Sequence, residues 1–349
     1  MIAYLNHQQK AECRMLWEEA FPEDSKAFDD YYFAEKIKDN RVLALYDEEE
    51  IASMIHMNPY RIQVRNQVWY SDYIVGVATG KDKRRKGYMG QLLKRMLKEQ
   101  AGEGMPFNFL MPAAAAIYTP YDYVYIYDQP VWKLKQEYAQ PGVLERKPLL
   151  PGDSRLDNRT YVASIAAWMN RWLEQRYQVY ARRDETYLLR LFKELASENG
   201  TFDILYDGGS VIGHQSVWGT KEREQRLLMC EPGYVQNEAA KPAIMARIVC
   251  LKQFVRAIRL TREAAAKNDE VVIPVRVSDP LLPENDGEWN WHLNRQTSWL
   301  EPGETGASEV TMNIGELTEW LFGYHCPEAA MPYADVVDVL HGVFLDEIV

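Results

Sequence analysis

Between Gly76 and Leu97 the chain reads GVATGKDKRRKGYMGQLLKRML, and no other stretch constrains its fold as tightly. Tyr73 to Thr79 has the composition of a strand, with Gly76 and Ala78 small enough for another backbone or a ligand to come close. Leu92, Leu93, Met96 and Leu97 then recur at helical spacing until Gly102. The residues from Lys81 to Gly87 therefore span a strand-to-helix junction, and five of the six from Lys81 to Lys86 are basic. A helix N-terminus leaves four N–H groups without intrahelical partners, and its dipole adds positive potential. Gly87 offers no Cβ to hold a bulky anion away from the backbone. The junction reads as a diphosphate cradle, with the amides of Arg85 to Gly90 pointing outward. Lys81, Lys83, Arg84, Arg85 and Lys86 would form its basic rim. A solvated basic turn has the same spacing, and neither Gly-x-Gly nor Gly-Lys-Ser/Thr is present.

The rest of the chain gives this cationic loop an acidic setting. A net charge of -11 argues against nucleic acid as the main partner and suits an amine. Charged residues at 26% and hydrophobic ones at 47% belong to a soluble globular protein, and 349 residues suggest two to three domains. Cys13, Cys230, Cys250 and Cys326 have no paired spacing, so reduced thiols are expected. The six histidines show no metal spacing, and no metal is expected. No serine-nucleophile elbow occurs. Without a signal peptide or a run of ~20 apolar residues, a cytoplasmic protein with no membrane partner is expected.

Two strand–turn–strand stretches lie far apart. Leu45-Tyr46-Asp47 aligns with Leu205-Tyr206-Asp207, Ile51 falls on Val211, and a helical stretch precedes each. This favours duplication of one unit. The first unit is expected over residues 1–138, closing at a Pro/Gly-bearing linker over 137–152. The second is expected over 139–240 and a third, α+β, over 241–349. GETGASE (303–309) reads as a plain loop.

The order Val77-Ala78-Thr79, then Arg84-Arg85-Lys86-Gly87-Tyr88-Met89, resembles the acetyl-coenzyme A motif of the GNAT N-acetyltransferases, Gln/Arg-x-x-Gly-x-Gly/Ala. Arg84 and Gly87 fit, whereas Met89 replaces the final small residue and Gly90 follows it. PAAAAIYTPYDYVY resembles the Ile-Tyr-x-x-Phe/Tyr-x-Tyr element of the Eis (enhanced intracellular survival) family. The repeated unit and the tail over 245–328 are similar to that family's layout. The resemblance implies an α/β (α+β) fold, with two tandem GNAT-like domains followed by a sterol-carrier-protein-like domain.

It also implies acetyl-CoA as cofactor and an amine as acceptor: a polyamine, an aminoglycoside-like compound or a lysine. Val77, Ala78 and Thr79 would pair with pantetheine amides as an added strand does. The amides of Arg85, Lys86, Gly87, Tyr88, Met89 and Gly90 would take the diphosphate, with Arg84 beside them. Ala113 and Ala114 would touch the cofactor through their backbone. Tyr118 corresponds to the general acid and the carboxylate of Val349 to the base. Phe21, Glu23 and Asp24 are expected to line the amine pocket, with Trp17 offering a stacking surface. Asp346 and Glu347 stand near Val349. The absence of a cysteine in the motif favours direct attack in a ternary complex. The second unit has no Arg-x-x-Gly equivalent and is expected to bind no cofactor. The resemblance further implies a homo-oligomer, a hexamer or trimer. The alternative is a non-catalytic regulatory protein that binds CoA or an apolar ligand on the same fold.

Overall fold

The computed structural model describes residues 1–150, 152–219 and 223–347. Strands β1 (Ile2–Tyr4), β2 (Arg41–Asp47), β3 (Glu50–Val64) and β4 (Gln67–Thr79) are successive antiparallel neighbours. A fifth, β5 (Phe107–Leu110), joins β4 in parallel. Glu48 and Glu49 turn β2 into β3 with φ of 54° and 69°, as a two-residue hairpin of the primed type requires. Alternation along β2 sorts the faces. Val42 and Ala44 pack toward α1 (Arg14–Ala20) and α2 (Lys26–Glu35), whereas Leu43 and Leu45 pack toward α3 (Tyr88–Gly102). Pro22 follows the end of α1, and Ser25 caps α2 by accepting the Phe28 N–H at 3.1 Å.

After α4 (Ala115–Tyr118) and β6 (Val124–Leu134) the chain leaves this sheet. It builds a second one from β7 (Glu145–Leu149), β9 (Thr201–Asp207), β10 (Ser210–Trp218) and β11 (Glu224–Cys230), in the order β11-β10-β9-β7. Helices Arg159–Glu174 and Glu185–Ser197 share its core. The short strand β8 (Val179–Ala181) pairs instead with β3. The β9–β10 turn, Gly208 and Gly209 with φ of 54° and 81°, repeats the geometry of the β2–β3 turn.

Strand β12 (Val235–Ile248) then returns to the first sheet and runs antiparallel between β5 and β6. The second unit is thus an insertion between strands of the first sheet, more than a bead following it. The expected boundary at 240/241 falls inside β12, and β7 lies within the stretch read as a linker. Neither strand is visible in local pattern, because each finds its partner far along the chain.

The third unit is a four-stranded sheet, ordered Ser298–Pro302, Gly287–Asn294, Glu270–Ser278, Val310–Asn313. Helix Ile314–Leu321 opens with a capping box between Asn313 and Glu316. Residues 303–309 form the expected loop. Phe322 stands edge-on to Phe107 of the first unit at 5.1 Å between ring centres, so the two units share a core. Val343–Phe344 finally adds parallel to β8. Among the described residues no helix is long and apolar enough to cross a membrane, and no cluster of His, Cys, Asp or Glu could hold a metal.

Candidate active site

β4 is paired with β3 from Gln67 to Thr79 but with β5 only at Tyr73↔Phe109 and Ile74↔Leu110. Beyond Ile74 the two parallel strands part, and among the described residues no strand pairs with the β5-side edge of Val75–Thr79. A bulge marks the parting: Gly76 and Val77 stand against Ile55 alone, between the pairs His56↔Val75 and Met54↔Ala78. Gly76 has φ of 56°, and a Cβ on it would lie 2.4 Å from the Trp17 ring. Glycine is required on both counts. Val77 and Thr79 are half-buried and Ala78 is buried. Ser53 Oγ donates to the Ala78 carbonyl at 2.8 Å and also contacts the Thr79 hydroxyl.

The basic loop follows directly. Arg85 and Gly87 are left-handed, with φ of 65° and 75°, and α3 begins at Tyr88. The first amide of this turn to find a backbone acceptor is Gln91 N–H, on the Gly87 carbonyl at 3.1 Å. Among the described residues the amides of Arg85, Lys86, Gly87, Tyr88, Met89 and Gly90 find none. A row of outward N–H groups at a helix N-terminus is a site for an anion.

The basic rim is smaller than its sequence suggests. Asp47, at the end of β2, lies 3.0 Å from Lys83 Nζ and 3.5 Å from Lys86 Nζ, and accepts the Tyr88 hydroxyl at 3.0 Å. The Lys83 hydrogen bond raises that ammonium's pKa and lowers Asp47's. Lys81, Arg84 and Arg85 are exposed, and Arg84 Nε reaches back to the Thr79 carbonyl at 3.2 Å. Asp47 is a brace that the sequence hid, because its two lysines lie 36 and 39 positions away.

Tyr118 ends α4 and is buried, its ring edge-on to Tyr123 at 5.9 Å. Burial pushes its phenol up to about 12, and its hydroxyl finds no hydrogen-bond partner among the described residues. Tyr118 shares one apolar cluster with Ile74 and Leu110, against which Val77, Tyr88 and Met89 also pack. A Cβ on Gly90 would lie 2.4 Å from the Tyr121 hydroxyl, so the first turn of α3 abuts the Tyr118–Tyr121 turn. The end of the β4–β5 pairing, the start of α3 and the Tyr118 turn are therefore joined through one apolar cluster and the first turn of α3. Ala113 and Ala114 are exposed between β5 and α4.

On the opposite face, Trp17 donates its indole N–H to Asp24 at 3.0 Å and lies 4.9 Å from Phe21. Burial raises the Asp24 carboxyl to about 6 against that hydrogen bond, with Asp29, Glu23 and Glu198 adding to the rise. Phe21 and Asp24 thus stand beside the tryptophan that covers the bulge, whereas Glu23 is exposed. The second unit reaches this place too, since Glu198 accepts a hydrogen bond from Ser25. Buried His56 and Asn58 flank the Tyr32 hydroxyl at 3.2 and 3.4 Å, and burial holds the His56 imidazole neutral, near 3.

Further along β3, a cavity of about 300 Å³ opens between the first and second units, with Lys36, Asn58, Tyr60, Glu194, Arg226 and Glu347 in its wall. Tyr60 lies 6.1 Å from both Tyr73 and Phe109, the first of the two paired rows that join β4 to β5. Glu347 is ion-paired with Arg183 at 2.6 Å and accepts the Tyr187 hydroxyl. Burial pushes its carboxyl up, but Arg183 and Arg226 outweigh this and hold it low. Asp346 accepts from Gln129 at 2.5 Å. Both carboxylates expected beside the terminus are therefore already engaged by protein groups. Val349 lies outside the described residues.

Residues 2–126 match the model of the acetyltransferase (GNAT) domain, and residues 251–338 that of the sterol carrier protein domain. Among the curated proteins none matches the chain. Several solved structures share the fold. A probable N-acyltransferase from Enterococcus faecalis is 16% identical with a TM-score of 0.75, covering 98% of this chain and 93% of its own. A GCN5-related N-acetyltransferase from Anabaena variabilis is 15% identical with a TM-score of 0.73, covering 97% and 94%. Eis1 from Mycobacterium abscessus is 13% identical with a TM-score of 0.67, covering 97% and 93%. These likenesses extend over almost the whole length of both partners.

Proposed function

We propose that this chain, an Eis-like protein with a GNAT acetyltransferase domain and a sterol carrier protein domain, transfers acetyl from acetyl-CoA to an amine by direct attack in a ternary complex. The observation that carries the reading is the place where β4 and β5 part, with six amides that find no backbone acceptor among the described residues at one end and the Tyr118 turn alongside. That arrangement fits the cofactor. The free edge at Val77, Ala78 and Thr79 would hold the pantetheine amides, the amides of Arg85 to Gly90 the diphosphate, and exposed Arg84 a further phosphate. Ala113 and Ala114 would contribute backbone contacts. Acetyl-CoA would supply the activated acetyl thioester.

The protein's own groups then have separable tasks. The amine must arrive neutral, because its lone pair forms the new N–C bond as the C–S bond breaks. The resemblance assigns the amine's proton to the carboxylate of Val349. Tyr118 donates its hydroxyl hydrogen to the sulfur as negative charge develops there. A phenol near about 12 is several units above an ordinary thiol at ~8.5, so stabilisation by donation outweighs complete proton release. Phe21, Glu23 and Asp24 form the acceptor side, where carboxylates draw in a cationic amine.

Saturating acetyl-CoA is expected to raise the melting temperature by several degrees, and a screen of polyamines, aminoglycosides and lysine peptides to give a transferable acetyl group. Neither stabilisation nor transfer with any amine would defeat the reading. At Asp24 the carboxyl titrates near 6, so its charge is present above that pH and lost below it. The KM for the amine should rise as pH falls through 6, and Asp24→Asn should give a high KM with that dependence flattened. A parent-like KM for Asp24→Asn would remove Asp24 from the acceptor site.

A further inference from the structure

Among the described residues Tyr118 has no hydrogen bond to fix the direction of its hydroxyl, so the backbone turn that carries it must do so. That turn, from Ala115 to Asp122, closes with the Asp122 N–H on the Thr119 carbonyl at 3.0 Å and a left-handed Asp122, φ 60°. It is gripped from outside. Arg247, on β12 beyond the inserted unit, is wholly buried and donates its Nε–H to the Tyr121 carbonyl at 2.9 Å. Its other nitrogens donate to the Ile248 carbonyl at 2.9 Å and to Asp279 Oδ1 at 2.6 Å, and Asp122 lies 3.8 Å away.

Asp279 belongs to the third unit and has no solvent exposure of its side chain. It is anchored in turn: the Leu281 and Leu282 N–H groups donate to Oδ1 at 3.1 and 3.0 Å, and Asn285 Nδ2 to Oδ2 at 2.9 Å. Helix Ile314–Leu321 presses on the same turn, since a Cβ on Gly315 would lie 3.5 Å from the Asp122 carbonyl. Burying an arginine and an aspartate is a poor way to gain stability, because desolvation offsets most of their attraction. Such a pair does fix geometry, and this one joins the turn of Tyr118 to the sterol carrier protein domain.

We propose that Arg247 is a positioning residue for Tyr118, through which Asp279 of the third unit sets the geometry of acetyl transfer. This rests on the role given to Tyr118 above. Displacement of a reacting group by about 1 Å can cost about 10²-fold in rate, so a loosened turn should be felt in turnover before binding.

The test uses the full chain carrying Arg247→Met, with Asp279→Asn, which keeps its volume, as a second variant should the first not fold. Three readouts are taken: kcat for acetyl transfer, the Kd for acetyl-CoA, and hydrogen exchange of residues 115–122. The expected result is a fall in kcat of about tenfold or more with Kd for acetyl-CoA changed by less than about threefold. The amides of Thr119, Tyr121 and Asp122 should exchange faster, and combining Arg247→Met with Tyr118→Phe should be little slower than Tyr118→Phe alone. Unchanged exchange over 115–122 in a folded variant, parent-like kcat, or losses that multiply in the double variant would overturn the role of Arg247. A Tyr118→Phe protein with parent turnover overturns the role of Tyr118 itself, and this one with it.

Discussion

Tyr118→Phe is expected to lower kcat by about 10²–10³-fold while leaving the fold and the Kd for acetyl-CoA nearly unchanged. The ring contributes packing, including its edge-on contact with Tyr123, and phenylalanine preserves this. The hydroxyl has no partner among the described residues, so its removal orphans none of their buried groups and should cost little stability. What disappears is the donor proposed above for the developing thiolate. Since the phenol titrates near about 12, the parent should show no loss of activity from this group between pH 6 and 10. Turnover within twofold of the parent would remove Tyr118 from the reaction.

The largest structural effect is expected at Gly76. Alanine there meets two obstacles at once: a φ of 56°, and the Trp17 ring 2.4 Å from the new carbon. Left-handed backbone costs a residue with a Cβ about 1–2 kcal/mol, and forced repacking of a filled core typically ~1–3 kcal/mol more. Trp17 is only 3% exposed and stacks on Tyr32 at 4.3 Å, so it has little room to retreat. Gly76→Ala should therefore lose about 2–5 kcal/mol, lower the first thermal transition by several degrees and weaken acetyl-CoA binding. Gly87→Ala has the same backbone strain but open space around the new carbon, and serves as the comparison. Equal melting temperatures for the two variants would mean that the Trp17 contact adds nothing.

Much of this was legible in the sequence because it is local. The two hairpins, the strand before Gly80, the helix after Gly87 and the tyrosine in PAAAAIY each carry their cue within about ten residues. The start of α3 at Tyr88 was legible for the same reason, since a helix N-terminus is a local object. What stayed hidden depends on partners distant in the chain. Asp47 braces lysines across a sheet, β7 hides in a proline-bearing linker, and Arg247 reads as one more basic residue in an apolar run. The charge of the rim was over-read because composition counts lysines without saying which already have a carboxylate. Asp24 is visible as an acidic residue near a helix break, but its raised pKa comes first from burial, which the sequence does not display, with Asp29, Glu23 and Glu198 adding to it.

The path of β12 has a consequence for how the molecule is made. Until residue 248 has left the ribosome, β5 and β6 have no strand between them, although the strand-to-helix junction at β4 and α3 was finished more than a hundred residues earlier. At ~5–20 residues per second, the nascent first sheet waits ~6–25 s with two open edges while the inserted unit is synthesised. Open edges recruit other strands, so this interval is when the protein is most exposed to aggregation. Slowing translation within the inserted unit should lower the soluble yield more than slowing it after residue 248.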